Sequence, residues 1–133
     1  DYSLSYKMPF LLAFIRHVDS IGDAKIEEIL EDYIAFYQDR ITRGLPVDRS
    51  TCPYNETMLQ DKKAMQRSML TNPFEKFERK RFLYYSKDLS VISMNHALYS
   101  QMEAGDWERV RRQMEEDLAE YYAKVEGAVL VKR

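Results

Sequence analysis

Residues 72–95, NPFEKFERKRFLYYSKDLSVISMN, constrain the fold more than any other stretch of the chain. A short basic helix runs directly into two β-like runs, RFLYYS and VISMN, joined by the turn Lys87-Asp88-Leu89-Ser90. Alternating runs rich in Tyr, Phe, Val and Ile and bounded by turn formers read as strands. Within the first run Phe82 and Tyr84 share one face, and Leu83 and Tyr85 the other. Two strands alone are only marginally stable, so the hairpin must pack on helices or pair with a third strand. A helix followed at once by a hairpin, with helices on either side, is the arrangement of a winged helix.

The flanking segments are helical. Met8, Leu11, Leu12 and Ile15 recur at helical spacing, Phe10 and Phe14 widen the apolar face, and Pro9 suits a first turn. The spacing predicts a buried helix ending near Asp19-Ser20-Ile21-Gly22. Asp23 is the expected N-cap of a second helix, with Glu27 and Glu28 complementing its dipole. Ile26, Ile29, Leu30, Tyr33, Ile34, Tyr37 and Ile41 keep its period until Gly44, before Pro46. Residues 45–55 read as a long loop. A third helix is expected over 61–70. Asn72 then has the form of an N-cap, with Pro73 at the first helical position and Glu75 completing a capping box. Pro73 cannot continue a helix without a kink. Two short helices or one bent helix follow, with Phe74, Phe77 and Phe82 facing inward. After the hairpin, Asn95 opens a short helix that stops at Gly105. Asp106 caps a long one, with Trp107, Val110, Met114, Leu118, Tyr121 and Val125 on one side and Gly127 at its end. The predicted fold is mainly α with a small β-hairpin. It has a winged-helix-like core over residues 1–95, C-terminal helices over 96–127 packed on that core, and at 128–133 the start of a linker or next element.

With 133 residues, 45% hydrophobic and 32% charged, the chain has the composition of one globular domain. No apolar run approaches the roughly 20 residues needed to span a bilayer. The single cysteine, Cys52, rules out an internal disulfide, and the cytoplasm is the expected compartment. The chain starts at Asp1 and ends on the apolar-basic run AVLVKR, as expected of a domain within a longer protein.

The formal net charge is −2, but it is unevenly spread. Residues 19–39 hold seven acids against Lys25, a net of −6, and residues 60–87 hold eight bases against three acids, a net of +5. Such asymmetry steers a polyanion to one face. The alternative is that the two blocks neutralise each other in the fold. The candidate nucleic-acid contacts are Lys62, Lys63 and Arg67 on the third helix. They continue with Lys76, Arg79, Lys80, Arg81 and Lys87 on the next helix and hairpin turn. Tyr84 and Tyr85 flank them, and either can stack on a base, Tyr85 being the one taken into the candidate site. Arg109, Arg111 and Arg112 form a second basic knot beside Trp107. Arg111 is expected to pair along the helix with Glu115, and Arg112 with Glu108, Glu115 and Glu116. The alternative is that the knot holds a phosphate or a partner's acidic surface. Tyr33, Tyr37, Tyr121 and Tyr122 fall at helical spacing and belong to the core or an interface.

Catalysis has no support in the pattern. His17 and His96 stand apart, Cys52 lacks a neighbouring ligand, and no phosphate loop or nucleophile elbow occurs. No catalytic residue, metal or cofactor is expected. Three pieces, SYKMPFLLAFI (5–15), RGLPVD (43–48) and NPFEKFERKRFLYYS (72–86), together resemble a helical accessory domain of bacterial restriction-type DEAD/DEAH helicases and related defence nucleases. The resemblance implies a non-catalytic module beside a DNA-translocating or DNA-cleaving neighbour. The expectation is a nucleic-acid-binding accessory domain, with duplex DNA as its target. The alternative is a docking or oligomerisation module that contacts other domains of the parent protein or a second copy.

Overall fold

The computed structural model describes residues 4–131, with side chains through residue 128. Helix α1 (Lys7–His17) is apolar on two faces. Phe10, Ala13 and Phe14 enter the main core, while Met8 joins Met114, Tyr121, Tyr122 and Val125 in a second cluster. Asp19 closes the turn that follows. Its Oδ1 accepts from the N–H groups of Ile21 and Asp23 at 3.0 and 2.9 Å, and Gly22 supplies a φ of +88°.

The turn delivers the chain into a strand. Asp23, expected as an N-cap, instead opens β1 (Asp23–Lys25), and its carboxylate accepts from the Ser93 hydroxyl at 2.6 Å. The extended Lys25 precedes α2 (Ile26–Thr42), which buries Ile26, Ile29, Leu30, Tyr33 and Tyr37. Gly44 ends α2 as expected, with φ +68°, while the N–H of Leu45 reaches the Arg40 carbonyl at 2.8 Å.

Within the loop expected at 45–55, Asn55 caps a single turn, α3 (Glu56–Leu59). Asp61 caps α4 (Lys62–Met69), its Oδ1 accepting from the Ala64 N–H at 3.1 Å. The expected new helix start at Asn72 is absent. A π-helical turn, Leu70–Phe74, carries α4 into α5 (Glu75–Arg79), giving one bent helix. Proline lacks an N–H, and its ring clashes with the carbonyl four residues earlier in an α-helix. The wider i→i+5 turn relieves both problems and keeps Met65, Met69, Phe74 and Phe77 on the core.

Strands β2 (Leu83–Ser86) and β3 (Val91–Met94) form the expected hairpin, and β1 pairs with the free edge of β3. The antiparallel sheet has the order β1-β3-β2, with Leu83 opposite Met94, Tyr85 opposite Ile92 and Ala24 opposite Ile92. That register turns Leu83, Tyr85, Ile92 and Ala24 toward the helices. Phe82, expected inside, lies on the outer face with Tyr84, and the two are 44% and 43% exposed. Alternation fixes which residues share a face. Packing of Leu83 and Ile92 on the core decides which face is buried.

Asn95 caps α6 (His96–Gln101), its Oδ1 accepting from the Leu98 N–H. The long helix α7 (Ala104–Val131) begins before Asp106, whose carboxylate reaches back to the Glu103 N–H at 2.9 Å. It also runs through Gly127, which lies within the helix and not at its end. Residues 128–131 therefore belong to α7, and 132–133, the rest of the expected linker, lie outside the described residues.

A buried polar network fastens α7 to the N-terminal segment and the 45–55 loop. Asp48 accepts from the Ser5 N–H at 2.9 Å, the Ser5 hydroxyl at 2.6 Å and the Tyr121 hydroxyl. Tyr122 donates to the Val47 carbonyl at 2.6 Å. The Arg40 guanidinium lies 3.6 Å from the Tyr122 ring centre and pairs with Glu126 at 2.8 Å. The result is a mainly helical chain with a small three-stranded antiparallel sheet and a long C-terminal helix.

Candidate nucleic-acid interface

The bent α4–α5 helix sorts its side chains by charge. Met65, Met69 and Phe74 are buried, and Phe77 packs against the same core. Lys63 and Arg67 lie two residues either side of Met65, Lys76 two after Phe74, and Arg79 two after Phe77. At about 100° per residue, a two-residue offset points away from the buried row. Lys62, Lys63, Arg67, Lys76, Arg79, Lys80, Arg81 and Lys87 are all exposed. Among the described residues, Arg79 alone of these eight has a carboxylate partner, Glu75 at 3.3 Å.

Arg81 has the most constrained backbone of the group. The N–H of Arg81 bonds the Glu78 carbonyl and that of Phe82 bonds the Phe77 carbonyl, both at 2.9 Å. These two bonds form a Schellman cap, which puts Arg81 at the left-handed position, with φ +62°. Glycine is the residue that suits this position. The Arg81 carbonyl accepts from Asn95 Nδ2 at 3.1 Å, so its backbone also ties the helix end to the sheet.

Of the sequence-predicted residues, the eight cations lie exposed on α4, α5, the cap and the β2–β3 turn. Tyr85 does not join them. It is half-buried, turned inward with its ring 6.3 Å from that of Phe74. Phe82 and Tyr84 hold the outer face beside the cations. Of the two, Tyr84 is already a stacking candidate in the sequence, whereas Phe82 is expected inside.

The other candidate groups are occupied locally. Arg111 pairs with Glu108 and Glu115, Arg112 with Glu108, and Arg109 with Asp106. His17 Nε2 lies 2.9 Å from Asp32 and Nδ1 3.5 Å from Glu28. Burial pushes the Cys52 thiol up, and its sulfur accepts from the Tyr6 hydroxyl at 3.3 Å. Burial likewise raises the phenols of Tyr6, Tyr33, Tyr37, Tyr54, Tyr121 and Tyr122 above their ordinary range. No group of three or more His, Cys, Asp or Glu side chains among the described residues is placed to hold a metal. No helix among them is long and apolar enough to cross a membrane.

The acidic block lies along β1 and α2. Asp32 pairs with Arg16 at 3.1 Å, and Asp39 with Arg43 at 3.4 Å. Glu27, Glu28 and Glu31 rim a groove of about 620 Å³ between α2 and α3, floored by Leu30, Ile34 and Leu59, with Lys62 at its edge. Compared with protein-family models, curated proteins and solved structures, the chain matches none.

Proposed function

We propose that this chain is a winged-helix module that binds duplex DNA for a larger DNA-processing protein. The order helix, strand, helix, the single-turn α3, the bent α4–α5 helix and the hairpin, with β1 on the far edge of β3, supports the winged-helix reading. In that reading α4–α5 is the recognition helix and the turn bearing Lys87 is the wing. The single observation that carries the function is the set of eight exposed cations on α4, α5, the cap and the hairpin turn, of which only Arg79 among the described residues is paired with a carboxylate. Free cations bind phosphates without first breaking an ion pair, and each neutralised phosphate releases counterions. The helix presents Lys62, Lys63 and Arg67 to the groove, and the remaining cations follow the backbone. The resemblance to accessory domains of restriction-type helicases and defence nucleases supplies the expected neighbour.

The test is anisotropy of a labelled duplex across a salt series from about 50 to about 200 mM. The wild-type chain should bind at micromolar concentration or tighter at the lowest salt. Its affinity should fall with a log–log slope of about −0.9 per phosphate contact. Reversing Arg79, Lys80 and Arg81 to glutamate together should abolish binding at the highest salt. Unchanged affinity in that variant would sink the assignment.

The acidic groove favours a second role on a different surface. Its apolar floor and glutamate rim suit a lysine- or arginine-rich segment of a neighbouring domain, anchored by an apolar side chain. DNA bound along α4–α5 leaves most of that groove open, so docking and DNA binding are compatible. Loss of parent-domain association in a Glu27→Lys, Glu31→Lys variant is the expected signature.

A further inference from the structure

Four large hydrophobic side chains are exposed among the described residues: Ile21, Phe82, Tyr84 and Leu89. Tyr84 lies on the outward side of β2, and Phe82, two residues earlier, immediately precedes the strand. At about 3.4 Å per residue of extended chain, the two positions are offset by roughly two nucleotide rises along the backbone. Neither ring takes part in any of the aromatic pairs that build the core, whereas their inward neighbour Tyr85 does. The Tyr84 hydroxyl has only a long 3.5 Å contact from Asn95 Nδ2. Ser93, a small side chain, lies opposite Tyr84 on β3 and is tied to Asp23. Lys80 and Arg81 lead directly into Phe82, and Lys87 follows the strand.

We infer that the outer face of the sheet is a stacking platform for unpaired nucleobases, with Phe82 and Tyr84 as its two rings. The inference rests on the proposed nucleic-acid reading and narrows it to a strand form. Bases inside a duplex are stacked on one another and offer no free face. Aromatic rings beside a row of phosphate-binding cations therefore take the single-stranded extension next to a duplex held by α4–α5. Stacking on an aromatic is tolerant of sequence, because every base has a π-face. The ligand class is a duplex with an unpaired tail, not a particular sequence.

The experiment uses the full chain and three probes: a blunt duplex, the same duplex with a single-stranded extension, and the extension alone. 2-Aminopurine is placed in the unpaired part. The extended probe should bind about tenfold or more tighter than the blunt one, with quenching of the 2-aminopurine. In a Phe82→Ala, Tyr84→Ala variant the extended-to-blunt ratio should fall to about one and the quenching should disappear. A Phe82→Leu, Tyr84→Leu variant keeps apolar bulk without a π-face and should behave the same way, and circular dichroism verifies that both fold. An extended-to-blunt ratio near one in the wild type, or a ratio that survives either variant, overturns the platform. Absence of blunt-duplex binding overturns the proposed duplex role instead, and quenching of the lone strand through Phe82 and Tyr84 would still uphold the platform.

Discussion

Replacing Arg81 by glycine should separate stability from binding. Arg81 holds the left-handed position of a Schellman cap with φ +62°. An L-residue there costs about 1–2 kcal/mol. Glycine removes that cost but adds freedom to the unfolded chain, which returns about 0.5–1 kcal/mol. The cap bonds and the bond from Asn95 involve only the backbone of residue 81, so they survive the change. Arg81→Gly should therefore leave stability unchanged or raise it by about 0.5 kcal/mol, read as a small upward shift of the urea midpoint at constant slope. Its affinity for duplex should fall about five- to tenfold near 0.1 M salt, and the log–log salt slope should shrink by about 0.9. Arg81→Asn, which tolerates the same backbone without a charge, should behave alike. Destabilisation by 1 kcal/mol or more would mean that the side chain holds the fold. An unchanged salt slope would mean that this cation meets no phosphate. Either result would refute the argument that the position keeps arginine for binding at the expense of the cap.

Gly22→Ala should destabilise the β1 turn by about 1–3 kcal/mol, because φ is +88° and the new Cβ would lie 3.2 Å from the Tyr99 ring. A thermal melt checks it. Asp48→Ala leaves the Ser5 N–H, the Ser5 hydroxyl and the Tyr121 hydroxyl without their acceptor, and should cost about 3 kcal/mol or more in urea unfolding. Stability should also collapse at high pH. Tyr33 and Tyr37, raised chiefly by burial, keep their protons in the folded chain where the unfolded chain loses them, above about pH 10. The folded state then binds more protons, so stability is constant below pH 10 and falls by about 3 kcal/mol per pH unit above it for these two. Phenolate absorbance should therefore rise together with loss of helical circular dichroism, and ionisation of these phenols with the helices intact would contradict the burial argument.

Elements held by long-range periodicity are legible in the sequence, and those held by a neighbour are not. Helices α1, α2, α4 and α7 follow from apolar spacing, and Gly44 from its place after the last periodic residue of α2. Strand β1 has only three residues, Asp-Ala-Lys, which carry no strand preference. They become a strand because β3 offers an unpaired edge and Asp19 folds the chain back toward it. Asn72-Pro73 carries a true local start signal. It is overruled because Met65, Met69, Phe74 and Phe77 bury one continuous face across it. The exposure of the cations was legible, since solvated charge needs no tertiary context. The aromatic face was not, because Phe82/Tyr84 and Leu83/Tyr85 alternate equally well either way. Choosing the inner pair requires knowing that Leu83 and Ile92 both pack on the helical core.

The charge blocks bear on how a chain with a net charge of −2 would hold a polyanion. Mutual neutralisation would have left few free cations, and DNA would then have had to break ion pairs to bind. Among the described residues no ion pair joins the two blocks. The acids partner with Arg16, His17 and Arg43, outside the basic segment, and Arg79 partners with Glu75 within it. Salt screens charge over about 8 Å at physiological ionic strength, less than the roughly 10–12 Å breadth of one helix. In the proposed complex, acids a helix away would therefore weaken phosphate contacts at α4–α5 only slightly, while a duplex meeting the α2 glutamates directly would be repelled. Net charge then governs approach orientation more than affinity, and Lys62, at the edge of the glutamate-rimmed groove, marks where the two regimes meet.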